Sequence, residues 1–440
     1  MARKHEPGKS KPRYPWWLET LAAMGVAATI AVIITLFFSW GRRPGRLVAT
    51  EALAVDEPEF IAAVAGTAGT PVRRGGTVRL LSNGVEIFPA LLQSLRAARQ
   101  TITFSCYIWE PGQVSDEVSA ALIERARAGV QVRVLLDGMG AMKAPGETID
   151  AMKEAGVKIE TFRPPRFGKL TRFHKRNHRR AIVIDGEVGF TGGAAVGDKW
   201  RGDADSADHW RDTMVRVTGP MATTLQSAFA PLWSHASGEL LAGPAFFGPG
   251  NVEGDASGVL HTGLPSAPSS DDHPLRLFFA QSFAAARRRL YITTPYFVPD
   301  GGTRRLVEAR ARAGVDVRVL LPDEHTDAKP IRLTTQRYYE EMLEAGMRIY
   351  EYQGTMMHAK HVVVDGRWSI VGSPNMDIRS KELNMENILA ILDTGFAAEL
   401  ERTFRKDLER SREIKLEEWR RRGRWQRLAE HACALFEEQY

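Results

Sequence analysis

A short motif occurs once in each half of this chain, and no other feature of the sequence constrains the fold as strongly. The second copy places His358, Lys360 and Asp365 at the spacing H-x-K-x4-D, and the small pair 372–373 (Gly-Ser) follows. The first copy repeats these spacings with arginine in place of lysine, and it consists of His178, Arg180, Asp185 and the Gly-Gly pair 192–193. One H-x-K is common by chance. Two copies with the same downstream spacing predict a duplicated unit that contributes one functional histidine from each half.

The residue types of the second copy suit chemistry on a phosphate ester. The run 362–364 is short, apolar and β-branched, so it predicts a buried strand. On an extended backbone His358 and Lys360 project to the same face, which brings a neutral imidazole and an ammonium to one phosphate. Isolated histidines in apolar strands are more often core residues than catalytic ones, but repetition at a fixed spacing favours a functional role.

Residues downstream of the second motif could complete such a site. The backbone N–H groups of the pair 372–373 could approach a phosphate closely, and Asn375 could add a side-chain donor. Glu386 could accept a hydrogen bond from one imidazole nitrogen and leave the other nitrogen free to attack. We therefore expect two facing histidines that transfer a phosphate ester.

The bulk properties narrow the class of protein and of partner. A chain of 440 residues can hold about two to three domains with sizeable cores. Only Cys106 and Cys433 are present, which argues against a disulfide scaffold or a thiolate zinc site. The net charge of +6 and the pI near 9.3 suit an anionic partner without choosing between nucleic acid and a membrane.

Residues 21–40 predict a transmembrane helix. These 20 residues carry no charge and have the length that crosses a bilayer core, and Trp16, Trp17 and Trp40 stand where interfacial aromatic residues belong. The run is long for a signal peptide, and the pair 42–43 (Arg-Arg) replaces a cleavage site, which favours a retained single-pass anchor over a cleaved signal or a buried helix. The positive-inside rule favours a cytoplasmic N-terminus in the cell (inner) membrane, with the rest of the chain outside.

The rest of the chain predicts an α/β fold made of two similar lobes, each a mixed sheet flanked by helices. From Val78 onward apolar strand segments alternate with helical segments. RARAGVQVRVLL from Arg125 and RARAGVDVRVLL from Arg310 differ at one position, and each predicts a helix end, a glycine cap and a buried strand. MKEAGVKIE from Met152 and MLEAGMRIY from Met342 repeat in the same order. We therefore expect two copies of one lobe with the site between them.

These features divide the chain into five predicted parts. They are a basic tail with the transmembrane helix (1–46, helix about 19–40), a linker (47–75), a first lobe (76–242), a Gly-, Ser- and Pro-rich inter-lobe linker (243–274) and a second lobe with C-terminal helices (275–440).

Two strongly charged segments have alternative interpretations. Residues 163–180 hold eight Lys or Arg directly against the first histidine; this segment could bind acidic phospholipid headgroups or nucleic acid, or could simply be solvated. The segment after Thr394 is helical and charged. It predicts a solvated helix packed on the second lobe, with a basic amphipathic face on a membrane as the alternative.

The paired motifs, the small pairs that follow them and the transmembrane N-terminus resemble the phospholipase D superfamily. Within it the chain is similar to bacterial cardiolipin synthases in RNHRRAIVIDGEVGFTGG, WRDTMVRVTGP and MHAKHVVVDGRWSIVGSPNMDIRS. The resemblance covers residues 76–440 and is more specific for the superfamily than for the subfamily. It implies a two-lobed α/β structure whose motifs meet between the lobes, and a reaction that needs no metal or other cofactor.

The resemblance also implies a mechanism and its residues. One histidine attacks the phosphorus of a phospholipid to form a phosphohistidine, the other protonates the leaving alcohol, and an acceptor alcohol then takes the phosphatidyl group. In cardiolipin synthases both substrates are phosphatidylglycerol, or the donor is phosphatidylethanolamine, so an anionic phospholipid in a membrane is the expected partner and nucleic acid is not. The implied catalytic residues are His178, Arg180, Asp185, His358, Lys360 and Asp365. The implied substrate-binding residues are Gly193, Ser373, Asn375 and Glu386.

The first motif departs from the family's pattern at two positions. Arg180 stands where the family has lysine, and Ala195 stands where asparagine is usual. Arginine keeps the charge on a longer planar group, whereas alanine removes a donor whose loss could cost about 10²–10³ in rate. The site could be slowed, tuned to another alcohol or inactive, and Asp212 could orient His178.

Three other functions fit the same residues. A phospholipase D would give the phosphatidyl group to water, a membrane-tethered nuclease would cleave a different diester, and a scaffold would bind lipid without turnover. Both histidines and both aspartates of the motifs are present, which argues against a scaffold, and a nuclease would have little reason for a transmembrane anchor. The sequence does not separate transfer from hydrolysis, and transfer is the leading hypothesis. The motifs do not assign the nucleophile.

Overall fold

The computed structural model describes residues 15–39, 47, 53–164, 175–248, 258–268 and 273–437. Residues 1–45 and residues 46–440 form two separate compact units. The predicted basic tail, most of the basic segment 163–180 and part of the predicted inter-lobe linker lie outside the described residues.

The first unit contains one long helix, α1, over Trp16–Ser39. It coincides with the helix predicted for residues 19–40, and its described side chains are exposed. Among the residues that the structure describes, no helix is both long and apolar enough to cross a membrane. The side chains of residue 31 and residues 33–39 fall outside that description, so the transmembrane span stays a prediction.

The second unit is built from two mixed sheets with helices on their faces, so the predicted α/β fold class is confirmed. Its described helices are α2 (Glu59–Ala68), α3 (Asn83–Arg96), α4 (Gln113–Arg127), α5 (Gly146–Glu154), α6 (Pro220–Ser237), α7 (Pro244–Phe247), α8 (Pro274–Ala284), α9 (Gly301–Arg312), α10 (Lys329–Arg337), α11 (Tyr339–Glu344), α12 (Ile378–Glu382), α13 (Thr394–Glu409), α14 (Leu416–Arg420) and α15 (Arg424–Ala434). Its described strands are β1 (Arg73–Arg74), β2 (Val78–Ser82), β3 (Thr101–Cys106), β4 (Gln131–Asp137), β5 (Lys158–Phe162), β6 (Ala181–Ile184), β7 (Val188–Gly192), β8 (Thr213–Thr218), β9 (Leu260–Ser266), β10 (Arg289–Thr293), β11 (Phe297–Val298), β12 (Asp316–Pro322), β13 (Arg348–Tyr352), β14 (His361–Val364), β15 (Trp368–Gly372), β16 (Met376–Asp377), β17 (Glu386–Leu392) and β18 (Ser411–Ile414).

The two large sheets repeat one strand order. The seven-stranded sheet has the order β2-β8-β7-β6-β3-β4-β5, and the nine-stranded sheet contains β9-β17-β15-β14-β10-β12-β13 with β1 and β18 added at its edges. In the first sheet β3 pairs parallel to β4 and antiparallel to β6; in the second sheet β10 pairs in the same way with β12 and β14. The predicted duplication is therefore confirmed. We call the seven-stranded sheet with its helices the first lobe and the nine-stranded sheet with its helices the second lobe.

Glycine caps make the helix-to-strand junctions of both lobes alike. Between α4 and β4 the residue Gly129 has a φ of +90°, and between α9 and β12 the residue Gly314 has the same φ. Residues with a Cβ rarely adopt this left-handed conformation, so glycine ends each helix and returns the chain to the sheet. The junctions predicted from the RARAG repeats are present.

Two segments predicted as linkers are parts of the second lobe. α2 lies within the predicted linker 47–75, and its Phe60 is buried in the second-lobe core with its ring 5.3 Å from that of Trp368. β9 lies within the predicted linker 243–274 and pairs along its whole length with β17. Its sequence, LHTGLPS, contains the glycine and proline that are typical of loops, and this composition led to the prediction of a linker where the structure has a strand.

An apolar cluster holds the two lobes together. It contains Val183 on β6 and Val215 on β8 from the first lobe, and Val363 on β14 and Leu389 on β17 from the second lobe, all buried. Because β6 and β14 follow the two motif histidines directly, this packing brings the two motifs to the same place.

Candidate active site between the two lobes

Backbone bridges between the lobes position both motif histidines. The backbone N–H of His178 donates to the carbonyl of Met385 at 2.9 Å, and that of His358 donates to the carbonyl of Arg211 at 2.7 Å. Met385 and Arg211 each immediately precede an acidic residue. Each histidine therefore lies beside a carboxylate of the opposite lobe.

Each of the two carboxylates forms a hydrogen bond with the histidine of the opposite lobe. Glu386 of the second lobe accepts a hydrogen bond from Nδ1 of His178 at 3.0 Å, and Asp212 of the first lobe accepts one from Nδ1 of His358 at 2.6 Å. The predicted hydrogen bond between Glu386 and an imidazole is present. The prediction that Asp212 orients His178 is wrong, because Asp212 contacts the other histidine. An Nδ1–H held by a carboxylate leaves Nε2 as the reactive nitrogen of each ring.

Further donors fix both carboxylates. Glu386 is fully buried and accepts from the hydroxyl of Ser373 at 2.5 Å and from the side-chain amide of Asn384 at 3.3 Å. Asp212 is 1% exposed and accepts from the indole N–H of Trp200 at 2.8 Å. Buried carboxylates with this many donors are held in one orientation, and so are the imidazoles that bond to them.

A buried cation accompanies each histidine within its own lobe. The Nζ of Lys360 donates to the carbonyl of His358 at 2.7 Å and lies 3.1 Å from both nitrogens of that ring. The Nη1 of Arg180 donates to the carbonyl of His178 at 2.8 Å. Lys360 is 4% exposed and Arg180 is 1% exposed. Two cations shielded from water interact strongly with an anionic phosphate diester placed between the rings.

Arg180 has surroundings that Lys360 lacks. Its Nε and Nη2 are buried and have no hydrogen-bond partner among the described residues, and its side chain lines a small cavity together with Ala195. The counterpart of Ala195 in the second lobe is Asn375, whose buried Oδ1 has no partner among the described residues. Space for the longer guanidinium exists because position 195 carries only a methyl group.

Burial shifts the protonation equilibria of the site. Burial, reinforced by the charge of Arg180, lowers the pKa of His178 to about 4, and burial, reinforced by Lys360, lowers the pKa of His358 well below its ordinary value. Burial outweighs the attraction of Asp212 and lowers the pKa of Lys360 to about 7. Burial also raises the pKa of Asp212 to about 6. Both imidazoles are therefore neutral near pH 7, and about half of the Lys360 side chains are protonated at that pH.

The two motif aspartates form turns and do not contact the histidines. Asp185 accepts from the backbone N–H groups of residues 99–101 at 2.7 to 2.8 Å, and Asp365 accepts from those of residues 287–289 at 2.8 Å. Their φ angles of +52° and +53° are positive, as the Asp-Gly hairpin turns after β6 and β14 require. Six residues separate each aspartate from its histidine in the chain, which corresponds to roughly 20 Å of extended backbone. These contacts give Asp185 and Asp365 a structural role, and their predicted catalytic role stays a prediction.

Gly193 and Ser373 support the carboxylates instead of presenting free amides. A Cβ at Gly193 would lie 2.2 Å from a carboxylate oxygen of Asp212, so glycine makes room for that side chain. The N–H of Gly193 donates to the carbonyl of Thr213 at 3.1 Å, and the N–H of Ser373 donates to the carbonyl of Asn387 at 3.0 Å. The prediction that backbone amides here bind phosphate is wrong, because these two amides are already bonded between neighbouring strands.

Several residues of the site were missed from the sequence. The side chain of Asn387 accepts from the backbone N–H of Arg180 at 3.0 Å and donates to its carbonyl at 3.2 Å, which ties the lobes together. The ring of Tyr107 lies 4.9 Å from that of His178, and the ring of Trp210 lies 5.2 Å from that of His358. Asn387 could have been noticed beside Glu386, and Trp210 at the start of WRDTMVRVTGP, but Tyr107 stands in no motif.

One cluster among the described residues has the spacing of a metal site, and it lies outside the motifs. Ligand atoms of Asp323, Glu324 and His325 lie within 4.8 Å of one another. Asp323 already accepts from the ring and the backbone N–H of His325. The absence of a metal from the reaction stays a prediction.

Comparisons with known proteins identify a matching family, similar sequences and a similar fold. The profile of the family described as "Cardiolipin synthase, PLD-like domain" matches residues 91–233 and 279–408. The chain is 35% identical over 376 residues to cardiolipin synthase 1 of Bacillus cereus, which covers 83% of this chain and 73% of the relative. It is 36% identical over 373 residues to cardiolipin synthase A of Pseudomonas syringae, which covers 84% of this chain and 76% of the relative. A crystal structure of phosphatidylserine synthase from Haemophilus influenzae has the same fold, with a TM-score of 0.69 at 15% identity over 87% of this chain and 100% of that chain.

Proposed function

Because this chain belongs to the cardiolipin synthase family of phospholipase D-like proteins, we propose that it is a phosphatidyltransferase that makes cardiolipin from phosphatidylglycerol. The observation that carries the proposal is the crosswise site, in which two buried imidazoles are each fixed by a carboxylate of the other lobe. Two nitrogen bases and two buried cations, held where the lobes meet, suit a two-step transfer through a covalent intermediate.

His178 is the nucleophile in this proposal. Burial raises the pKa of Glu386, but hydrogen bonds from His178 and Ser373 and the charge of Arg180 hold it below its ordinary value. Glu386 is therefore ionised and retains the Nδ1 proton of His178. The Nε2 lone pair attacks the donor's phosphorus, forms the N–P bond and breaks the P–O bond to the headgroup glycerol. The products of this step are free glycerol and a phosphatidyl group on His178.

His358 is the acid and then the base. The phosphate diester raises the pKa of His358 when it enters, and the short hydrogen bond to Asp212 stabilises the protonated ring. Nε2 of His358 gives its proton to the departing glycerol oxygen. The neutral ring then takes the proton of the acceptor's primary hydroxyl, whose oxygen attacks phosphorus, breaks the N–P bond and frees His178.

The decisive experiment follows the products that the full chain makes from phosphatidylglycerol in detergent micelles. Cardiolipin and glycerol in equal amounts support the proposal. Phosphatidic acid as the main product would show a hydrolase, and the absence of turnover would show a binding protein. We expect His178→Ala and His358→Ala each to lower the rate by at least about 10³-fold, because each removes a group that acts in both steps.

A second measurement separates the two histidines. With a donor that has an acidic, easily displaced alcohol, His358→Asn still forms the covalent adduct, because such a leaving group needs no proton. His178→Asn forms none. Mass spectrometry of the intact protein detects the adduct, and an adduct in His178→Asn alone would reverse the assignment.

Membrane attachment is part of the same proposal. The uncharged run of residues 21–40 and the helix α1 support a single-pass anchor, and the charges beside the run support a cytoplasmic N-terminus with the lobes outside. The full chain should stay with the membrane during extraction at alkaline pH. Release into the supernatant would contradict an anchor.

A further inference from the structure

The C-terminal helix α15 presents its apolar side to solvent. Trp425 is 83% exposed, Leu428 59%, Leu435 77% and Phe436 40%. Successive residues of a helix are about 100° apart, so Trp425, Leu428 and the exposed Ala432 fall within one arc of about 60°. Leu435 and Phe436 follow directly after the end of α15 at Ala434. Helices on the surface of a protein usually turn such an arc toward the core. We call these five residues the α15 stripe.

Polar contacts fix the orientation of α15 on the second lobe. Glu430, on the opposite side from the stripe, is fully buried and accepts from Arg422 at 3.1 Å. The same arginine donates to Glu340 at 3.1 Å, and the hydroxyl of Tyr338 donates to Glu437 at 2.5 Å. The helix is therefore held by its polar side, and the stripe is a fixed feature of the surface.

Basic side chains border the stripe. Arg421, Arg424 and Arg427 are exposed. Arg424 lies about 40° from Leu428 at the edge of the apolar arc, and Arg427 lies about 100° from Leu428. An apolar stripe with a tryptophan and a basic border is the pattern of a helix that lies in the interface of an anionic bilayer. Each basic residue near such a surface contributes about 1 kcal/mol of attraction.

The stripe lies one helix away from the catalytic residues. α15 packs against α10, and α10 begins two residues after Asp327. Asp327 accepts from the hydroxyl of Tyr296 at 2.5 Å, and its charge raises the pKa of Lys360. A membrane that received the stripe would therefore be close to the edge of the site.

We propose that the α15 stripe inserts into the headgroup region of an anionic phospholipid bilayer and so places the catalytic cleft beside its lipid substrates. The lipid identity of those substrates rests on the proposed function, but the docking itself does not. A second copy of the chain is a poorer occupant. A stable protein interface buries about 800 Å² per partner over 20–30 residues, whereas interfacial insertion requires only an apolar stripe with a basic border.

The first test measures docking without reference to activity. An environment-sensitive fluorophore is attached to Ala432→Cys in a Cys433→Ser background, and the full chain is reconstituted into vesicles of phosphatidylglycerol and phosphatidylcholine. We expect blue-shifted emission that brominated acyl chains quench. The matched control carries the label at Ala128→Cys, an exposed position at the end of α4, and should show neither effect. Equal signals at both positions would overturn the proposal, as would a blue shift in detergent that grows with protein concentration, since this would indicate a second copy.

The second test compares two forms of the substrate. We expect Trp425→Ser combined with Leu428→Ser to lower turnover of vesicle phosphatidylglycerol by at least about tenfold and to leave turnover of monomeric short-chain phosphatidylglycerol unchanged. The control, Val85→Ser with Met142→Ser, removes two exposed apolar side chains elsewhere and should affect neither. An unchanged vesicle rate, or an equal loss on both substrates, would overturn docking. A wild type that is inactive on both would refute the proposed function, while the fluorescence still decides docking.

Discussion

Arg180 and Lys360 occupy equivalent positions in the two lobes, but the space around them differs. Lys360 is a compact charge beside the ring of His358, whereas Arg180 extends along a cavity that Ala195 leaves open and keeps two buried N–H groups without described partners. In the second lobe the same place has a lysine and Asn375. In the first lobe Arg180 alone therefore offers the hydrogen-bond donors that Lys360 and Asn375 offer together in the second lobe. The small side chain of Ala195 leaves the space that the guanidinium needs.

This coupling predicts the outcome of a double-mutant cycle. Arg180→Lys alone should lower kcat/KM by about 10²-fold, because one buried donor toward the transition state has this effect. Ala195→Asn alone should lower it by about tenfold and reduce stability by about 1–3 kcal/mol through overpacking. The pair together should recover to within about tenfold of the wild type, because it recreates the arrangement of the second lobe. Kinetics and thermal melts of the four proteins measure the coupling.

The control for this cycle is Arg127→Lys with Ala128→Asn, the same changes at adjacent exposed positions of the first lobe. These should have independent and small effects. If the losses at 180 and 195 also simply multiplied, the two residues would not be coupled.

The titration of Lys360 is expected to determine the pH above which the reaction slows. Burial lowers its pKa to about 7, so the free protein loses this positive charge as the pH rises through that value. Because the charge attracts phosphate, kcat/KM should fall by about tenfold per pH unit above the pKa. A bound phosphate raises the pKa of the lysine, so the fall in kcat should occur at higher pH than the fall in kcat/KM.

Lys360→Arg tests this assignment, since a guanidinium stays charged throughout the range. Its residual activity should lack the alkaline fall near pH 7. An unchanged pH profile in this variant would mean that another group sets the limit.

At the scale of secondary structure, the spacing H-x-K-x4-D corresponds to the length of one strand and the start of the turn that follows it. The histidine and the cation stand at one end of β6 or β14, and the aspartate stands at the other end, where its carboxylate collects three backbone N–H groups. That carboxylate fixes the start of the neighbouring strand, β3 or β10. The aspartates thus determine where the strands that carry the histidines lie.

Asp185→Asn and Asp365→Asn should therefore lower stability more than activity. We expect each to reduce the free energy of unfolding by about 2–4 kcal/mol, because a neutral amide accepts weaker hydrogen bonds and brings an unpaired donor. The kcat of the folded fraction should stay within about threefold of the wild type. Asp150→Asn, at an exposed position of α5, is the control for urea unfolding. A large fall in kcat with unchanged stability would show that the aspartates take part in the reaction.

The sequence predicted the elements that repeat and missed those that do not. The histidine strands, the glycine caps and the two-lobed α/β fold could be read from local patterns, because each depends on residues close together in the chain. The strand β9 and the helix α2 could not, because pairing with β17 and packing on Trp368 depend on partners far along the chain. The exchange of Asp212 and Glu386 depends on how the lobes pack, and no spacing within one lobe encodes it.

At the scale of the second unit, the lobes are bound by polar groups as well as by the apolar cluster. Arg211 of the first lobe makes two hydrogen bonds to Asp407 of the second, at 2.8 and 2.9 Å, and both residues are buried. Asn387 bonds to the backbone of Arg180. Leaving such groups unpaired in the interior costs several kcal/mol, so the lobes are expected to separate only when the unit unfolds.

The exchange of carboxylates makes the two lobes mutually dependent. A change that shifts one lobe detaches Glu386 from His178 and Asp212 from His358 at the same time, so attack and proton transfer fail as a pair. Damage to the protein should therefore appear as lost turnover, and a stalled enzyme that keeps a lipid fragment covalently attached should be rare. Neither lobe is therefore expected to react with a phospholipid on its own.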